Sequence, residues 1–363
     1  MIYIAYFILF IGALRLLVAF TNRITNIYLP KNASITNQSF VSILIPARNE
    51  EQTIGNLLND IDKLSYTNYE VLVYNDESTD NTAHLVEQHI ASNPKIKLVE
   101  GIKLEKGWLG KNFACHQLAT KAQGRYLLFL DADVQVANNI IEKTVGLMQR
   151  HKLGLLSIFP KQIIKNKEVL LTIPLMNWIL LSLLPLVFVR WSSWVSFSAA
   201  NGQFMLFDAD VYKLTQPHAT CKASKAEDIS ICKYLKKRKI KVMTILGNDQ
   251  IKCTMYTSLD ESIDGFSKNI FAFFSDSIVF ALLFALLTSF GSLYLLFILG
   301  FQVFLAYILS IILIRILVSK CSSQNTALNV LYMPAQHLVF LWIMGVAFLR
   351  SRNRSLTWKG RSI

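Results

Sequence analysis

Cysteine is scarce and poorly placed for sulfur chemistry. The 363 residues hold five (Cys115, Cys221, Cys232, Cys253, Cys321), with no CxxC pair and no His/Cys cluster at zinc spacing. That excludes a structural zinc site and a disulfide framework, and it fits a reducing compartment. Acidic residues are few as well, 24 against 37 lysines and arginines, which leaves a formal charge of +13. Such a balance suits nucleic acid, anionic lipid or a phosphorylated substrate. Hydrophobic residues, by contrast, make up 53% of the chain and mean hydropathy is +0.38. They concentrate at the two ends, which favours a lipid surface and argues against nucleic acid. The length accommodates one catalytic domain plus membrane segments, not two soluble domains.

The stretch Ile2 to Phe20 is apolar apart from Arg15 and lacks the basic leader and small-residue cleavage site of a secretory signal. It reads as an uncleaved anchor over residues 1–22. Arg23 and Lys31 follow, and the positive-inside rule then places the next domain in the cytoplasm, so a multi-pass protein of the cell membrane is expected. Over residues 40–275 short β-rich runs alternate with helical ones: Val41 to Ile45, Tyr69 to Tyr74, Ile96 to Val99 and Tyr126 to Leu130, with helices near 51–64, 81–92 and 112–122. This predicts an α/β domain on a mostly parallel, Rossmann-like sheet, with ligands at the carboxyl ends of the strands. Within it, Leu170 to Val189 is apolar but broken by Pro174 and Pro185 and followed by Arg190, Trp191 and Trp194. Residues 170–195 are therefore expected in the membrane interface.

Beyond Asp276 the chain is apolar from Ser277 to Val318, with a polar turn at Gly300 to Gln302, and again from Val330 to Phe348. Residues 276–349 are expected to be membrane helices, the first two a hairpin, and 350–363 a basic tail. If all three segments cross, the tail ends outside, against the positive-inside rule. A re-entrant or interfacial last segment removes the conflict.

Three strand ends carry candidate chemistry. Leu128-Phe129-Leu130-Asp131-Ala132-Asp133 is a buried-type strand ending in two carboxylates one residue apart, able to serve a hard divalent cation that also binds diphosphate oxygens. In Ile45-Pro46-Ala47-Arg48-Asn49-Glu50-Glu51 a strand gives way to a helix; capping accounts for the acids but not for Arg48, a candidate partner for nucleotide or phosphate. In Tyr74-Asn75-Asp76-Glu77-Ser78-Thr79-Asp80, Asp80 suits a helix cap, while Asp76 and Ser78 are placed to meet a base or ribose.

Together these segments resemble glycosyltransferase family 2, over roughly Ser42 to Lys268. The resemblance implies a GT-A fold, an inverting mechanism and a UDP-sugar donor. It also implies that Pro46, Glu50 and Asp76 surround uracil and ribose, and that Asp131 and Asp133 form a DxD motif holding Mg2+ or Mn2+ on the diphosphate. Trp108-Leu109-Gly110-Lys111-Asn112 is similar to the WxGK segment of lipid-glycosylating members, whose acceptors include ceramide, hopanoids and carotenoids. There Lys111 would neutralise diphosphate charge, and Trp108 would lie toward the acceptor. Asn201 and Gly202 resemble the turn lining the acceptor side. Glu227-Asp228 resembles the ED pair at a helix start, with Asp228 as the general base. Lys268, in Gly265-Phe266-Ser267-Lys268-Asn269, would contact the departing diphosphate. The QxxRW motif of processive members is lacking, which makes polymer extrusion a poor fit.

The reading is a single displacement: Asp228 activates a hydroxyl of a membrane lipid or isoprenoid, which attacks the anomeric carbon opposite the leaving diphosphate. Two rivals remain at this level. One is transfer to a polyprenyl phosphate, for which Arg190, Lys222 and Lys225 are available cations. The other is a scaffold or transport protein carrying a degenerate nucleotide-sugar domain.

Overall fold

The computed structural model describes all residues except 26, 31–34, 36, 354–356, 359–360 and 363, with side chains through 351. Lys31 and most side chains of the basic tail thus lie outside the described residues. A 23-residue helix, α1 (Ile2–Ile24), comes first. Strands and helices then alternate as β1 (Val41–Ala47), α2 (Ile54–Asp62), β2 (Tyr69–Asn75), α3 (Thr82–Ser92), β3 (Ile96–Glu100), α4 (Gly110–Lys121) and β4 (Tyr126–Leu130). Next come β5 (Val134–Val136), α5 (Ile140–His151), β6 (Leu155–Phe159) and β7 (Lys161–Gln162). A helical excursion, α6 (Ile173–Leu183) and α7 (Val187–Trp191), precedes β8 (Phe204–Asp208), α8 (Ala209–Thr215), α9 (Pro217–Thr220) and α10 (Glu227–Lys237). The domain closes with β9 (Val242–Leu246), β10 (Ile251–Cys253) and α11 (Leu259–Asn269).

Seven strands form the main sheet in the order β3-β2-β1-β4-β8-β6-β9. Its pairings are parallel except those of β8, which runs antiparallel to β4 and β6. β2 and β4 bury every side chain, as strands covered on both faces must. Alternate residues feed two cores: Ile43 and Ile45 pack with Leu57, Ile61 and Ile141, whereas Leu44 faces Leu118 and the α6 side. Because strand order reverses between β1 and β4, a crevice opens at their carboxyl ends, where residues 48–51, 76–82 and 131–133 lie. A smaller sheet, β5-β10-β7, pairs Cys253 with Val134 and so sets Cys253 beside Asp133.

The remaining helices are α12 (Ile278–Leu299), α13 (Phe301–Cys321), α14 (Thr326–Leu331) and α15 (Met333–Asn353). α1, α12, α13 and α15 are long and apolar enough to cross a membrane. The α12–α13 turn is made by Gly300, whose φ of 84° favours glycine. Far from the sheet, Ala5 and Ile8 of α1 pack with Leu295 and Tyr307. Near the sheet, the Arg15 and Arg315 guanidiniums both lie over the Trp178 ring of α6, at 4.7 and 5.0 Å, and Arg15 donates to Ser182 Oγ at 3.0 Å.

The stretch 170–195 divides in two. α6 is buried from Ile173 to Ser182, while Phe188, Trp191 and Trp194 are exposed. α15 meets the sheet domain at both ends: Gln336 Nε2 donates to the Leu170 carbonyl at 2.8 Å, and Arg350 pairs with Asp264 at 2.7 Å.

Candidate active site

The loops after β1 and β2 are laced together. Arg48 donates to the Asp76 carbonyl, Asn49 N–H to Ser78 Oγ (3.1 Å), Glu50 N–H to Thr82 Oγ1 (2.8 Å) and Glu51 N–H to Asp80 Oδ2 (3.1 Å). Asp80 also accepts from Thr82 N–H at 3.0 Å, so it works as a local cap at the entry to α3. Pro46 lies in β1 opposite Tyr74, and Asp76 follows β2 directly, buried, its N–H on the Ala47 carbonyl. Arg48 thus braces the two loops.

Across the crevice, Lys111 at the start of α4 joins two elements. Its ammonium lies 2.8 Å from Asp131 Oδ2 and 3.2 Å from Glu227 Oε1. Burial alone would lower this lysine, but Asp131 and Glu227 outweigh it and hold it well above the usual value. The 108–112 segment is tied to the loop before α10: Leu109 N–H donates to Lys222 O, and Asn112 Nδ2 lies 3.1 Å from the carbonyls of Cys221, Lys222 and Ser224. Trp108 stacks on His116, 5.1 Å between centroids. At Gly202 a Cβ would meet Glu227 Oε1 at 2.9 Å and Lys111 Nζ at 3.0 Å, so a larger residue there would displace the ends of this ion pair.

Asp133 is buried. Its Oδ2 takes Cys253 Sγ at 3.2 Å and Gln203 Nε2 at 3.4 Å, while Oδ1 has no hydrogen-bond partner among the described residues. Burial, then Asp131 and Glu50, push its carboxyl up to about 6. Asp228 accepts from Gly202 N–H (3.0 Å) and Ile229 N–H (2.7 Å), yet burial and the neighbouring Glu227 raise it to about 7. On its other side lies an apolar cavity of about 200 Å³, walled by Met176, Ile179 and Leu183 of α6, Phe273 and Asn201. Asn201 is fixed by Ser157, whose Oγ bonds both its N–H and its carbonyl.

A sequence model of glycosyl transferase family 2 matches residues 42–184. Those residues are a family 2 glycosyltransferase domain. The β-monoglucosyldiacylglycerol synthase of Nostoc sp. is 37% identical over 131 residues, 36% of this chain and 27% of that protein. The 4,4'-diaponeurosporenoate glycosyltransferase of Staphylococcus haemolyticus is 27% identical over 249 residues, 66% of this chain and 63% of that protein. The chain thus matches about a quarter of the first relative's length and just under two thirds of the second's. In fold it is similar to a mannosyltransferase from Pyrobaculum calidifontis solved with GDP-Man and Mn2+, at TM-score 0.52 and 14% identity, covering 94% of this chain and 99% of that one. The architecture is GT-A, with apolar helices at both ends.

Within and beyond the family 2 domain, the fold gathers Lys111, Asp131, Gly202, Glu227 and Asp228 around one crevice. Lys268 is placed elsewhere: it pairs with Asp264 at 2.5 Å and lines a separate cavity with Lys225, Lys233 and Arg350. The three cations weighed for an acceptor phosphate are dispersed, Arg190 on His151, Lys222 near the Trp108 ring and Lys225 in that separate cavity. Sequence reasoning missed Gln203, Asn112 and Cys253. The first two stand inside motifs already noticed, whereas nothing local marks Cys253, whose place comes from the β5–β10 register.

Proposed function

We propose that this chain is a membrane-bound glycosyltransferase that moves a sugar, with inversion, from a UDP-sugar to a hydroxyl of a lipid or isoprenoid acceptor. The observation that carries it is the position of Asp228, between a charged crevice at the strand ends and an apolar cavity walled by α6. The diphosphate side is polar and charged, with Lys111 set among Asp131 and Glu227, and the other side offers an acceptor a mainly apolar wall with the Asn201 turn, a few serines and Lys233. The two relatives' names, a diacylglycerol-lipid synthase and a carotenoid-acid glycosyltransferase, support an apolar acceptor.

In this mechanism Pro46, Glu50, Asp76 and Ser78 bound the nucleoside pocket, with Arg48 holding its two loops in register. The acceptor enters past Trp108, Asn201 and Gly202. Asp228, raised to about 7, takes the hydroxyl proton as the oxygen attacks the anomeric carbon, and Glu227 keeps Lys111 aimed at the leaving group. Asp131 and Asp133 fit Mg2+ or Mn2+, because Asp133 Oδ1 is buried without a hydrogen-bond partner among the described residues. When bound, the cation neutralises diphosphate charge.

The same reading gives the orientation. With α1, α12 and α13 crossing and α15 lying along the domain that both its ends touch, the catalytic domain and the tail share the cytoplasmic side. The positive-inside conflict then disappears. The test is transfer of labelled sugar from UDP-sugars to lipid extracts by the reconstituted full chain. Organic-phase product that requires Asp228 supports the proposal, and label released only as free sugar refutes it.

A further inference from the structure

The charged crevice and the apolar cavity leave one group of basic residues unused. A cavity of about 660 Å³ opens between α10, the end of α11 and the last turn of α15, and it shares no lining residue with the Lys111, Asp131 and Asp133 cluster. Its cations are Lys225, Lys233, Lys268 and Arg350. Lys268 and Arg350 both pair with Asp264, at 2.5 and 2.7 Å. Lys225 and Lys233 have no ion pair among the described residues, and the acid on the wall is Asp276. Counting Asp264 and Asp276 against the four cations leaves the site net positive by two charges.

Two features say what kind of anion meets it. Ile278, the first residue of α12, stands on the cavity wall, and the next residues, Val279 and Phe280, are exposed. If α12 crosses the bilayer, the cavity mouth lies at headgroup depth, where basic residues meet lipid phosphates. Lys233, Ile229 and Ala272 also line the apolar acceptor cavity, so the two spaces share a wall made by α10, the helix that carries Asp228.

We propose that this cavity holds the phosphate of an anionic phospholipid, and that this lipid seats α10 at the membrane beside the neighbouring apolar cavity. The inference rests on α12 being a membrane span and not on the glycosyl-transfer reading, so its test reads binding alone. The full chain in neutral detergent is titrated with phosphatidylglycerol or phosphatidylcholine and retained lipid is counted by native mass spectrometry. One phosphatidylglycerol is retained in preference to phosphatidylcholine, and the Lys225→Gln/Lys233→Gln double variant binds it roughly 10-fold to 30-fold more weakly. Lys225→Arg/Lys233→Arg restores retention, which separates charge loss from misfolding. Lys121→Gln/Lys152→Gln, charge-matched on exposed helix ends, leaves it unchanged. The proposal is overturned if the glutamine variant retains lipid like the wild type, if the control pair loses as much, or if phosphatidylcholine binds equally. Displacement by inorganic phosphate at matching concentration would also overturn it, by marking a site for free phosphate.

Discussion

At Asp228 chemistry and stability oppose each other. A base working near neutrality needs a carboxyl far above its ordinary value, and burial beside Glu227 supplies that, holding it at about 7. Turnover should therefore climb with pH to a plateau above about 7, and a pH–rate profile flat from 5.5 to 8 would remove Asp228 from the base role. The same shift weakens the fold: the unfolded carboxyl titrates near ~3.9. The raised value therefore contributes stability that is fully present below that pH and lost as pH rises through about 7. Asp228→Asn should thus keep donor affinity and lose roughly 10²–10⁴-fold in turnover. Its melting temperature should exceed the wild type's at pH 8, with the difference fading at pH 5. The acids and Lys111 were legible in the sequence because each follows a strand end or opens a helix. Gln203 and Cys253 were not, since their contact with Asp133 depends on strands returning from far along the chain, β8 beside β4 for Gln203 and β10 beside β5 for Cys253.

Among elements, the strands were the most readable, because parallel strands covered on both faces appear as unbroken apolar runs. Helix starts were less so. α2 begins at Ile54, three residues later than its pattern predicts, because residues 49–51 are pledged to the β2 loop and Asn49 adopts a φ of 52°. The 108–112 segment illustrates the coupling between elements: Asn112 faces three carbonyls of the loop that leads into α10. Asn112→Ala removes these three hydrogen bonds and leaves the partly buried Ser224 carbonyl without its amide donor, which should cost about 1–3 kcal/mol, and it should lower turnover more than UDP affinity. Equal stability by thermal melting would contradict that linkage. An apolar helix such as α6 looks alike in sequence whether lipid or protein covers it. Here α1 and α13 pack on it, and Phe340 of α15 lies against Trp178.

For the whole molecule, that cover has a consequence for dissection. Removing residues 277–363 would strip Phe284 and Phe340 from Trp178 and uncover the part of α6 that α13 packs against, leaving α1 upon it. The truncated protein should aggregate; a soluble, UDP-binding fragment would show that the helices are a detachable anchor. The paired carboxylates lead to a further expectation: excess chelator should abolish transfer, and Mg2+ or Mn2+ should restore it. The central claim, that a lipid enters from the α6 side and is glycosylated at Asp228, is met most directly by mass spectrometry of lipid extracts. Cells expressing the wild type should contain a lipid heavier by one sugar residue, absent from cells expressing Asp228→Asn at equal protein level. Identical lipid profiles, or the same product from the variant, would contradict it.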